Sequence, residues 1–267
     1  MIWLISEVVA APYKRRSDPH RGASRRSWEM KAHDDPRSNQ VLAALPDDAL
    51  RKWLPQLARV DLALGQVVAR PGVTERHVYF PTSAIVAMLS GTEDGHSMEV
   101  AVVGNDSMVG MALILGGGST PLRAEVRAAG VAYRAPADLI EEALAQPGPA
   151  QRLLLRSAME RIAQVGQTAV CSRHHSLEQR VCRWLLMSAD RGGADMAITH
   201  GLVACMLGAR REGVTEVLGR LQDDGVVACS RGHVAVLDRP RLAQRTCECY
   251  AVVAKECRRL RPESAVA

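Results

Sequence analysis

Apolar positions follow two patterns along the chain, and the change between them falls near residue 150. In the first part, short apolar segments are separated by turn-forming Gly, Pro, Asn and Asp residues. The segments cover residues 66–70, 77–80, 85–89, 98–103, 108–113, 125–128 and 131–134. Strands at this spacing predict an antiparallel sandwich or barrel, because each strand needs neighbours for its backbone hydrogen bonds. Short helices are predicted at residues 41–45, 49–57 and 137–144.

One long helix is predicted over residues 150–171, after a break at Gln146-Pro147-Gly148-Pro149. Some of its apolar positions repeat at 3-4-3-4 spacing, which is typical of the seam of a two-helix coiled coil. These seam positions are Leu155, Ala158, Ile162, Val165 and Ala169. Leu153, Leu154 and Met159 lie on other faces and would pack against the chain's own strands. The helix is therefore predicted to form a homodimer while also packing within its own chain.

Residues 198–237 have the pattern of a helix, a tight turn, a second helix and two short strands. Thr199 is predicted to cap the first helix, because its hydroxyl can accept a free backbone N–H. Gly208 is predicted to end that helix, since glycine tolerates the left-handed conformation found there. The second helix is predicted to begin near Arg210, with apolar positions at i, i+3, i+4 and i+7 forming one buried stripe. The stripe consists of Val214, Val217, Leu218 and Leu221.

The polar face of the second helix carries the chemistry that suggests a function. A short helix whose polar face is exposed at its N-terminal end suits reading of the DNA major groove. Strands at residues 226–229 and 233–237, around Ser230-Arg231-Gly232, have the pattern of the wing of a winged helix. A helical hairpin and a β-hairpin packed for structure alone would not require this basic start and basic wing. The pattern therefore predicts double-stranded DNA as a partner.

Net charge supports this interpretation. The chain carries a formal charge of +5, but residues 150–267 hold 18 Lys and Arg against 12 Asp and Glu. The rest of the chain is close to neutral, so the excess lies with the predicted DNA-binding segment, as phosphate contact requires. Aromatic residues make up only 3% of the sequence, which argues against recognition by base stacking.

The N-terminal residues lack the features of a membrane span or a signal peptide. Residues 1–12 are apolar but too short to span a bilayer, and their positive charges follow the apolar run. Residues 1–38 are predicted to be a disordered arm, or to precede the true start of translation at Met30 rather than Met1. An odd number of cysteines, seven, without a secretory signal predicts a reduced cytoplasmic protein that does not associate with membranes.

The order of these elements resembles the CRP/FNR family of bacterial transcription regulators over about residues 40–260. The resemblance implies an α+β fold with an N-terminal antiparallel β-roll of the cyclic-nucleotide-binding type, a long dimerisation helix and a C-terminal winged helix-turn-helix. The corresponding segments are residues 39–149, 150–173 and 174–260. It also implies a homodimer on a palindromic operator, with half-sites about one helical turn apart, and RNA polymerase as a further partner.

Arg211 and Glu212 match the Arg-Glu pair with which the family reads bases. Arginine suits a bidentate contact to guanine, and a glutamate can accept from cytosine N4. The family often carries another base-reading Arg one turn later, where this chain has Glu216, so a different half-site sequence is predicted. The further candidates for DNA contact, mainly to the backbone, are Thr199, His200, Arg210, Thr215, Arg220, Arg231 and His233.

Residues 99–118, EVAVVGNDSMVGMALILGGG, resemble the phosphate-binding cassette of the family. The cassette normally places a Glu on the ribose shortly after Gly110 and an Arg on the cyclic phosphate. Met111 stands at the Glu position, and the Arg-Ser pair aligns with Leu122 and Arg123. Methionine and leucine cannot make those contacts. The resemblance therefore predicts a β-roll that does not bind a cyclic nucleotide in the usual way, with no evident cofactor and an unknown effector.

The cysteines permit a redox or metal-sensing hypothesis, but the sequence predicts no metal site. One amphipathic helix is predicted over residues 241–259, and on it Cys247 and Cys249 would lie about 200° apart. Cys171 and His174 could meet at i and i+3, yet two ligands leave a metal site incomplete. The family's iron–sulfur sensors carry cysteines near the N-terminus, whereas the first cysteine here is Cys171.

No catalytic residues are predicted, because the nucleophile-elbow, phosphate-loop and zinc-protease motifs are absent from the sequence. The leading hypothesis is a homodimeric DNA-binding regulator in which a signal in the β-roll moves the long helices. Two alternatives remain open at this point. One is a cyclic-nucleotide-type module that regulates a protein partner, and the other is a regulator with a cysteine-based redox or metal sensor.

Overall fold

A computed structural model describes residues 35–260 of the chain. The strands are β1 (Ala58–Leu62), β2 (Val67–Ala69), β3 (His77–Pro81), β4 (Ile85–Gly91), β5 (Ser97–Val103), β6 (Arg123–Ala128), β7 (Gly130–Pro136), β8 (Asp195–Met196), β9 (Val227–Ser230) and β10 (His233–Val236). The helices are α1 (Gln40–Ala43), α2 (Asp47–Trp53), α3 (Met111–Ile114), α4 (Ala137–Ala145), α5 (Pro149–His174), α6 (Leu177–Gly192), α7 (His200–Leu207), α8 (Arg211–Asp223), α9 (Arg239–Gln244) and α10 (Cys249–Leu260). Short 3-10 turns occur at Pro36–Ser38 and Leu54–Gln56.

The first seven strands form two antiparallel sheets, which are called the β-roll below. One sheet has the order β1-β7-β3 and the other the order β2-β6-β4-β5. Small β-branched and alanine side chains such as Val86, Val103 and Val126 fill the space between them. This arrangement confirms the predicted antiparallel β architecture. Strand β1 was missed, because Ala58–Leu62 is an edge strand whose side chains are mostly exposed and carry no apolar run.

The predicted apolar segment at residues 108–113 is not a strand. Val109 forms an isolated bridge to Tyr79, and the chain then turns into helix α3. Gly110 makes the turn with φ of 123°, and a Cβ there would lie 2.7 Å from Val78 Cγ2. Every residue of the segment except the partly buried Met111 is buried, so its apolar run could not distinguish a strand from a helix. The helical part agrees with the resemblance to a cassette.

The N-terminal prediction is only partly addressed, because residues 1–34, including both Met1 and Met30, lie outside the described residues. Residues 35–38 were predicted to be disordered, but Pro36–Ser38 is a 3-10 turn capped by Asp35. The buried Asn39 side chain then donates to the carbonyls of Pro81 and Ser107 and caps α1. This end of the described chain is therefore fastened to the β-roll.

Helices α6, α7 and α8 and the sheet β8-β10-β9 make up the unit called the winged helix below. Ser176 caps α6 in a capping box with Gln179. The apolar stripe of α8 is buried with Trp184, Leu185 and Leu186 of α6 in one core. Each helix of the unit thus gains stability by burying one face in a shared core.

The last predicted helix, residues 241–259, is wrong as one continuous element. Helix α9 ends at Gln244, and α10 begins at Cys249, so residues 245–248 interrupt it. Helix α10 returns along α5, and Val253 packs with Ile85, Val102 and Met187. Of the helices described, none is both long and apolar enough to cross a membrane.

Candidate DNA-binding and effector sites

The helix-turn-helix has the local geometry that its sequence predicts. The Thr199 hydroxyl accepts from the backbone N–H of Leu202 at 3.1 Å. Gly208 adopts the left-handed conformation, with φ of 57° and ψ of 43°, and ends α7. The chain can then enter α8 at Arg211, with Arg210 as the extended residue before it. Cap and turn together fix how α8 leaves α7.

The N-terminal end of α8 presents Arg211 and Glu212 to solvent. Both side chains are exposed, while Val214, Val217, Leu218 and Leu221 of the same helix are almost fully buried. Within residues 35–260, neither Arg211 nor Glu212 forms an ion pair or a side-chain hydrogen bond. Both groups can therefore turn to base edges without first breaking a contact in the protein.

Glu216 and Arg220 are already engaged with each other. Arg220 Nη1 donates to Glu216 Oε1 at 2.6 Å, and Nη2 lies 3.4 Å from Glu178 Oε2 on α6. The pair neutralises the glutamate that stands where the family often has arginine. Arg220 is therefore less available for phosphate contact than an unpaired arginine, although its side chain remains about half exposed.

The remaining DNA candidates lie around this face. His200 Nδ1 and Thr215 Oγ1 are 3.1 Å apart, which links the start of α7 to α8. Arg231 is exposed in the turn between β9 and β10, and Arg210 is exposed before α8. His233 Nδ1 lies 3.7 Å from Asp195 Oδ1 across the small sheet. The two exposed arginines are better placed for phosphate than the histidines, which already have partners.

The β-roll contains a cleft of about 220 Å³ beside the cassette. It lies between β2, the loop before β3 and the Val109-Gly110 turn, and Arg70, Glu75 and His77 are among its polar lining residues. Of the four residues predicted for the effector pocket, Gly110 lines this cleft. The other three are placed elsewhere.

Met111, Leu122 and Arg123 do not form the predicted pocket. Met111 packs against the core formed by α1, α2 and α4, and Leu122 packs against the core between the sheets. Arg123 is paired with Glu125 on the exposed face of β6. If the alignment is shifted by one residue, Arg123 takes the place of the arginine that binds the cyclic phosphate. Its charge is already compensated by Glu125, so Arg123 is not free for that role.

Glu75, in the loop before β3, contacts the cassette, and the sequence did not reveal this contact. Its carboxyl accepts from the backbone N–H of Ala112 at the start of α3, while burial raises the pKa of Glu75 above its usual range. Among the described residues Oε2 of Glu75 has no hydrogen-bond partner. An acidic group thus lies against the amide at the start of α3, and its ionised form would repel an anion from this turn.

The exposed apolar face of α5 differs from the predicted seam. Ala158 is only 3% exposed and packs in the chain's own core, and Val165 is partly buried against the β-roll. Met159, predicted to face the β-roll, is instead 47% exposed. One exposed face of α5 carries Leu155, Met159, Ile162, Gly166, Ala169 and Val170, which we call the exposed seam. Leu155, Met159, Ile162, Gly166 and Ala169 keep the 4-3-4-3 spacing of a coiled coil, and Val170 lies beside them.

Comparison with known proteins identifies the two parts. Residues 59–146 match the family model of the cyclic nucleotide-binding domain, and residues 179–245 match that of the Crp-like helix-turn-helix domain. The chain belongs to the CRP/FNR family of transcription regulators. It is a DNA-binding regulator with a domain of the cyclic-nucleotide-binding type, as the resemblance implied.

Its relatives in the CRP/FNR family are distant. The global nitrogen regulator of Synechococcus elongatus is 23% identical over 191 residues, which are 68% of this chain and 86% of that protein. The global nitrogen regulator of a Nostoc species is 26% identical over 176 residues, or 62% and 79% of the two chains. FixK2 from Bradyrhizobium japonicum gives a TM-score of 0.63 at 16% identity, covering 72% of this chain and 98% of FixK2. A CRP/FNR-family regulator from Thermus thermophilus gives 0.58 at 21% identity, covering 70% and 97%.

In this CRP/FNR regulator, buried charges join the β-roll to the elements that follow it. Arg191 at the end of α6 donates to Asp106 of the β-roll, with 2.5 Å between Nη2 and Oδ2. Arg161 of α5 donates to the Val102 carbonyl at 3.1 Å and to Ser107 Oγ at 2.9 Å, and burial lowers the pKa of Arg161 to about 10. The loop after β5 therefore contacts both the long helix and the winged helix.

A second group of side chains comes together where α5 ends. Cys171, His175, Cys247 and Cys249 offer ligand atoms that all lie within 4.8 Å of one another, and they are called the Cys/His cluster below. Sequence reasoning paired Cys171 with His174 and separated Cys247 from Cys249, because it assumed one continuous C-terminal helix. The interruption at residues 245–248 removes that separation. Burial raises the pKa of Cys171 to about 12, so an uncoordinated Cys171 is a neutral thiol.

Proposed function

We propose that this regulator acts as a homodimer on a palindromic DNA site in the cytoplasm. We also propose that its β-roll responds to something other than a cyclic nucleotide bound in the usual way. The observation that supports the first proposal is that one chain exposes two separate surfaces, one at the start of α8 and one along α5. Arg211 and Glu212 are exposed and without protein partners at the start of α8, and α5 carries the exposed seam.

The exposed seam supports the homodimer. Leu155, Met159 and Ile162 are each more than two-fifths exposed, although long apolar side chains on a central helix are usually covered. Gly166 lies on the same face, and its missing side chain lets a second helix approach closely. A second copy of α5, related by a two-fold axis, would cover these positions with the same positions of its own.

Two recognition helices in one dimer favour a palindromic operator. Each α8 would enter the major groove of one half-site with its N-terminal end toward the bases, so the half-sites would lie about one helical turn apart. The dependence of affinity on salt would report the phosphate contacts made by residues such as Arg210 and Arg231.

The cassette supports the second proposal. Met111 cannot accept a ribose hydrogen bond, Arg123 is paired with Glu125, and the Glu75 carboxyl lies against the Ala112 amide. The first two features remove contacts that a cyclic nucleotide needs, and the third repels its phosphate. A signal in the β-roll could reach α5 through Arg161, whose guanidinium is bonded to Val102 and Ser107.

Selection of bound genomic fragments by the full chain tests the function directly. We expect an inverted repeat, protected by a dimer whose mass is confirmed by analytical ultracentrifugation. Fragments without a shared sequence would contradict specific recognition and favour the competing class, a module that regulates a protein partner. Titration with cyclic AMP and cyclic GMP should leave both operator affinity and the melting temperature unchanged, and saturable binding of either would contradict the second proposal.

A further inference from the structure

The Cys/His cluster has the composition and position of a metal site. Cys171 lies in the last turn of α5, and His175 follows one turn later as the residue that ends this helix. Cys247 lies in the interruption before α10, and Cys249 is the first residue of α10. The three cysteines are almost fully buried, and His175 is mostly buried. Two distant parts of the chain thus direct four soft or borderline ligands to one point.

Two distances between ligand atoms are close to those of a single tetrahedral ion, and all the ligand atoms lie within 4.8 Å of one another. Cys171 Sγ and Cys247 Sγ are 3.6 Å apart, and Cys249 Sγ lies 3.4 Å from His175 Nδ1. With metal bonds of about 2.3 Å to sulfur and about 2.0 Å to nitrogen, tetrahedral geometry separates ligand atoms by roughly 3.5–3.8 Å. An iron–sulfur cluster would hold its ligands farther apart, because several iron and sulfide atoms lie between them. The spacing therefore favours one ion.

Neighbouring side chains are arranged as the outer contacts of a metal site usually are. Glu248 Oε1 lies 3.2 Å from Nε2 of His175, on the side of the ring away from Cys249. A carboxylate at that nitrogen fixes the ring and leaves Nδ1 to act as a ligand. Gln167 Nε2 donates to Cys249 Sγ at 3.0 Å, a contact that stabilises a thiolate. The four ligands and the side chains that contact them thus both favour a metal site.

Local charge is also suitable. Three thiolates, one neutral imidazole and one divalent cation together carry a charge of −1. Arg183 and Arg180 lie within electrostatic reach of Cys171, and Arg183 also donates to Thr168 one turn earlier on α5. Buried cysteines that serve only for packing need neither an imidazole among them nor nearby cations.

We propose that Cys171, His175, Cys247 and Cys249 form a closed Cys3His site for one zinc-class divalent ion. Four protein ligands leave no coordination position for a substrate, so the ion has a structural role and no catalytic one. Binding displaces the thiol protons of the three cysteines as the three metal–sulfur bonds form. The ion would fasten the start of α10 to the end of α5, where the long helix passes into the winged helix.

This position gives the ion a regulatory consequence that rests on the proposed DNA-binding function. Helix α10 packs along α5, and α6 begins only two residues after His175. An ion at this junction would restrict the angle between the long helix and the winged helix. Its loss would loosen that angle and weaken operator binding, whereas metal binding itself is measurable without DNA.

Metal analysis of the full chain, purified under reducing and anaerobic conditions, tests the site. We expect one bound zinc ion per chain and, after exchange into cobalt(II), the visible absorption of tetrahedral cobalt with thiolate charge transfer. Cys249→Ser and Cys247→Ser should lose the ion, whereas Cys205→Ser, at an exposed cysteine of α7, should keep it. Glu248→Gln leaves all four ligands in place, and we expect it to lower zinc affinity by about 10–100-fold.

Several results would overturn the site. They are the absence of zinc together with a failure of added zinc(II) or cobalt(II) to bind, a Cys171–Cys247 disulfide in protein alkylated at once on lysis, or iron with acid-labile sulfide in place of zinc. Circular dichroism of each variant shows whether it is folded. If a serine variant does not fold, the cobalt spectrum of the unaltered chain and the Glu248→Gln affinity decide the matter. Failure of DNA binding with a normal metal content would contradict only the proposed function.

Discussion

The guanidinium of Arg127, on β6, stacks over the ring of Trp184, on α6, with 4.4 Å between its central carbon and the ring centroid. Arg127 Nη1 also lies 3.4 Å from Glu99 Oε2, and the charged ends of both side chains are almost completely buried. A cation–π contact of a desolvated arginine contributes about 2 kcal/mol. The winged helix therefore rests on a charged residue of the β-roll as well as on apolar surface.

Replacing Arg127 with Met should destabilise the chain by about 3–5 kcal/mol, because the buried Glu99 would lose the arginine with which it forms its ion pair. The free energy of unfolding in urea measures the loss. In the double variant Glu99→Gln/Arg127→Met, most of the lost stability should return. Arg123→Met provides a matched control on the same strand, since the exposed pair of Arg123 and Glu125 should contribute no more than about 1 kcal/mol. Equal losses at both arginines would contradict the importance of burial.

Arg211→Ala should lower operator affinity by about 1–3 kcal/mol and reduce discrimination at one base pair of each half-site. The reason is the loss of a bidentate base contact from a side chain that makes no contact in the protein. Mobility-shift titration at fixed salt measures the effect. Arg51→Ala, at an exposed position on α2, removes the same charge at a residue far in sequence from Arg211. It should leave the affinity for the operator nearly unchanged. Unaltered binding by the Arg211 variant would refute its assignment.

Met159→Lys should weaken the proposed dimer, because a charge would be buried in an apolar seam. We expect the dissociation constant of the dimer to rise more than about tenfold, so that the variant is mainly monomeric. Sedimentation equilibrium over a range of protein concentrations measures the constant. Leu64→Lys introduces the same charge at another exposed apolar position, on the β-roll, and should leave the dimer intact. A stable Met159→Lys dimer would show that the exposed seam is not the interface.

Glu75→Gln should raise the melting temperature at neutral pH, and the difference from the unaltered chain should shrink as the pH falls. Burial raises the pKa of Glu75 in the folded chain, so its stabilising effect is fully present below its unfolded pKa. That effect is lost as the pH rises through the folded pKa, where the carboxyl ionises in a buried place. Glutamine keeps an acceptor for the Ala112 amide without the charge. Calorimetry between pH 4 and pH 8 measures the trend, and a difference that does not change with pH would contradict this account.

Locally encoded features could be predicted from the sequence. Thr199, Gly208 and Ser176 act on their own turns through caps and a left-handed conformation, so neighbouring residues suffice to place α6, α7 and α8. The stripe of α8 was also predictable, because every residue of one helical face is buried in the same core. The exposure of Arg211 and Glu212 followed from these boundaries, whereas their predicted role in reading bases came from the resemblance to the CRP/FNR family.

Features that depend on distant packing could not be predicted in the same way. Ala158 and Met159 are adjacent, and only the position of the β-roll decides which of them faces solvent. The approach of Glu75 to Ala112 depends on how the loop before β3 folds over the cassette. The proposed ligand role of His175 depends on Cys247, which is 72 positions away along the chain. In each case the deciding neighbour is remote in sequence, so periodicity carries no signal for it.

The closeness of Cys171 and Cys247 has a mechanical consequence. The two residues are 76 positions apart in sequence, and the whole winged helix lies between them, yet their sulfur atoms are 3.6 Å apart. The two connections that lead into and out of the winged helix therefore lie next to each other. A rotation of the unit about this junction would stretch neither connection, although it would break contacts with the β-roll such as Arg127 on Trp184. A small rotation there would carry both Arg211 and the wing through a larger arc.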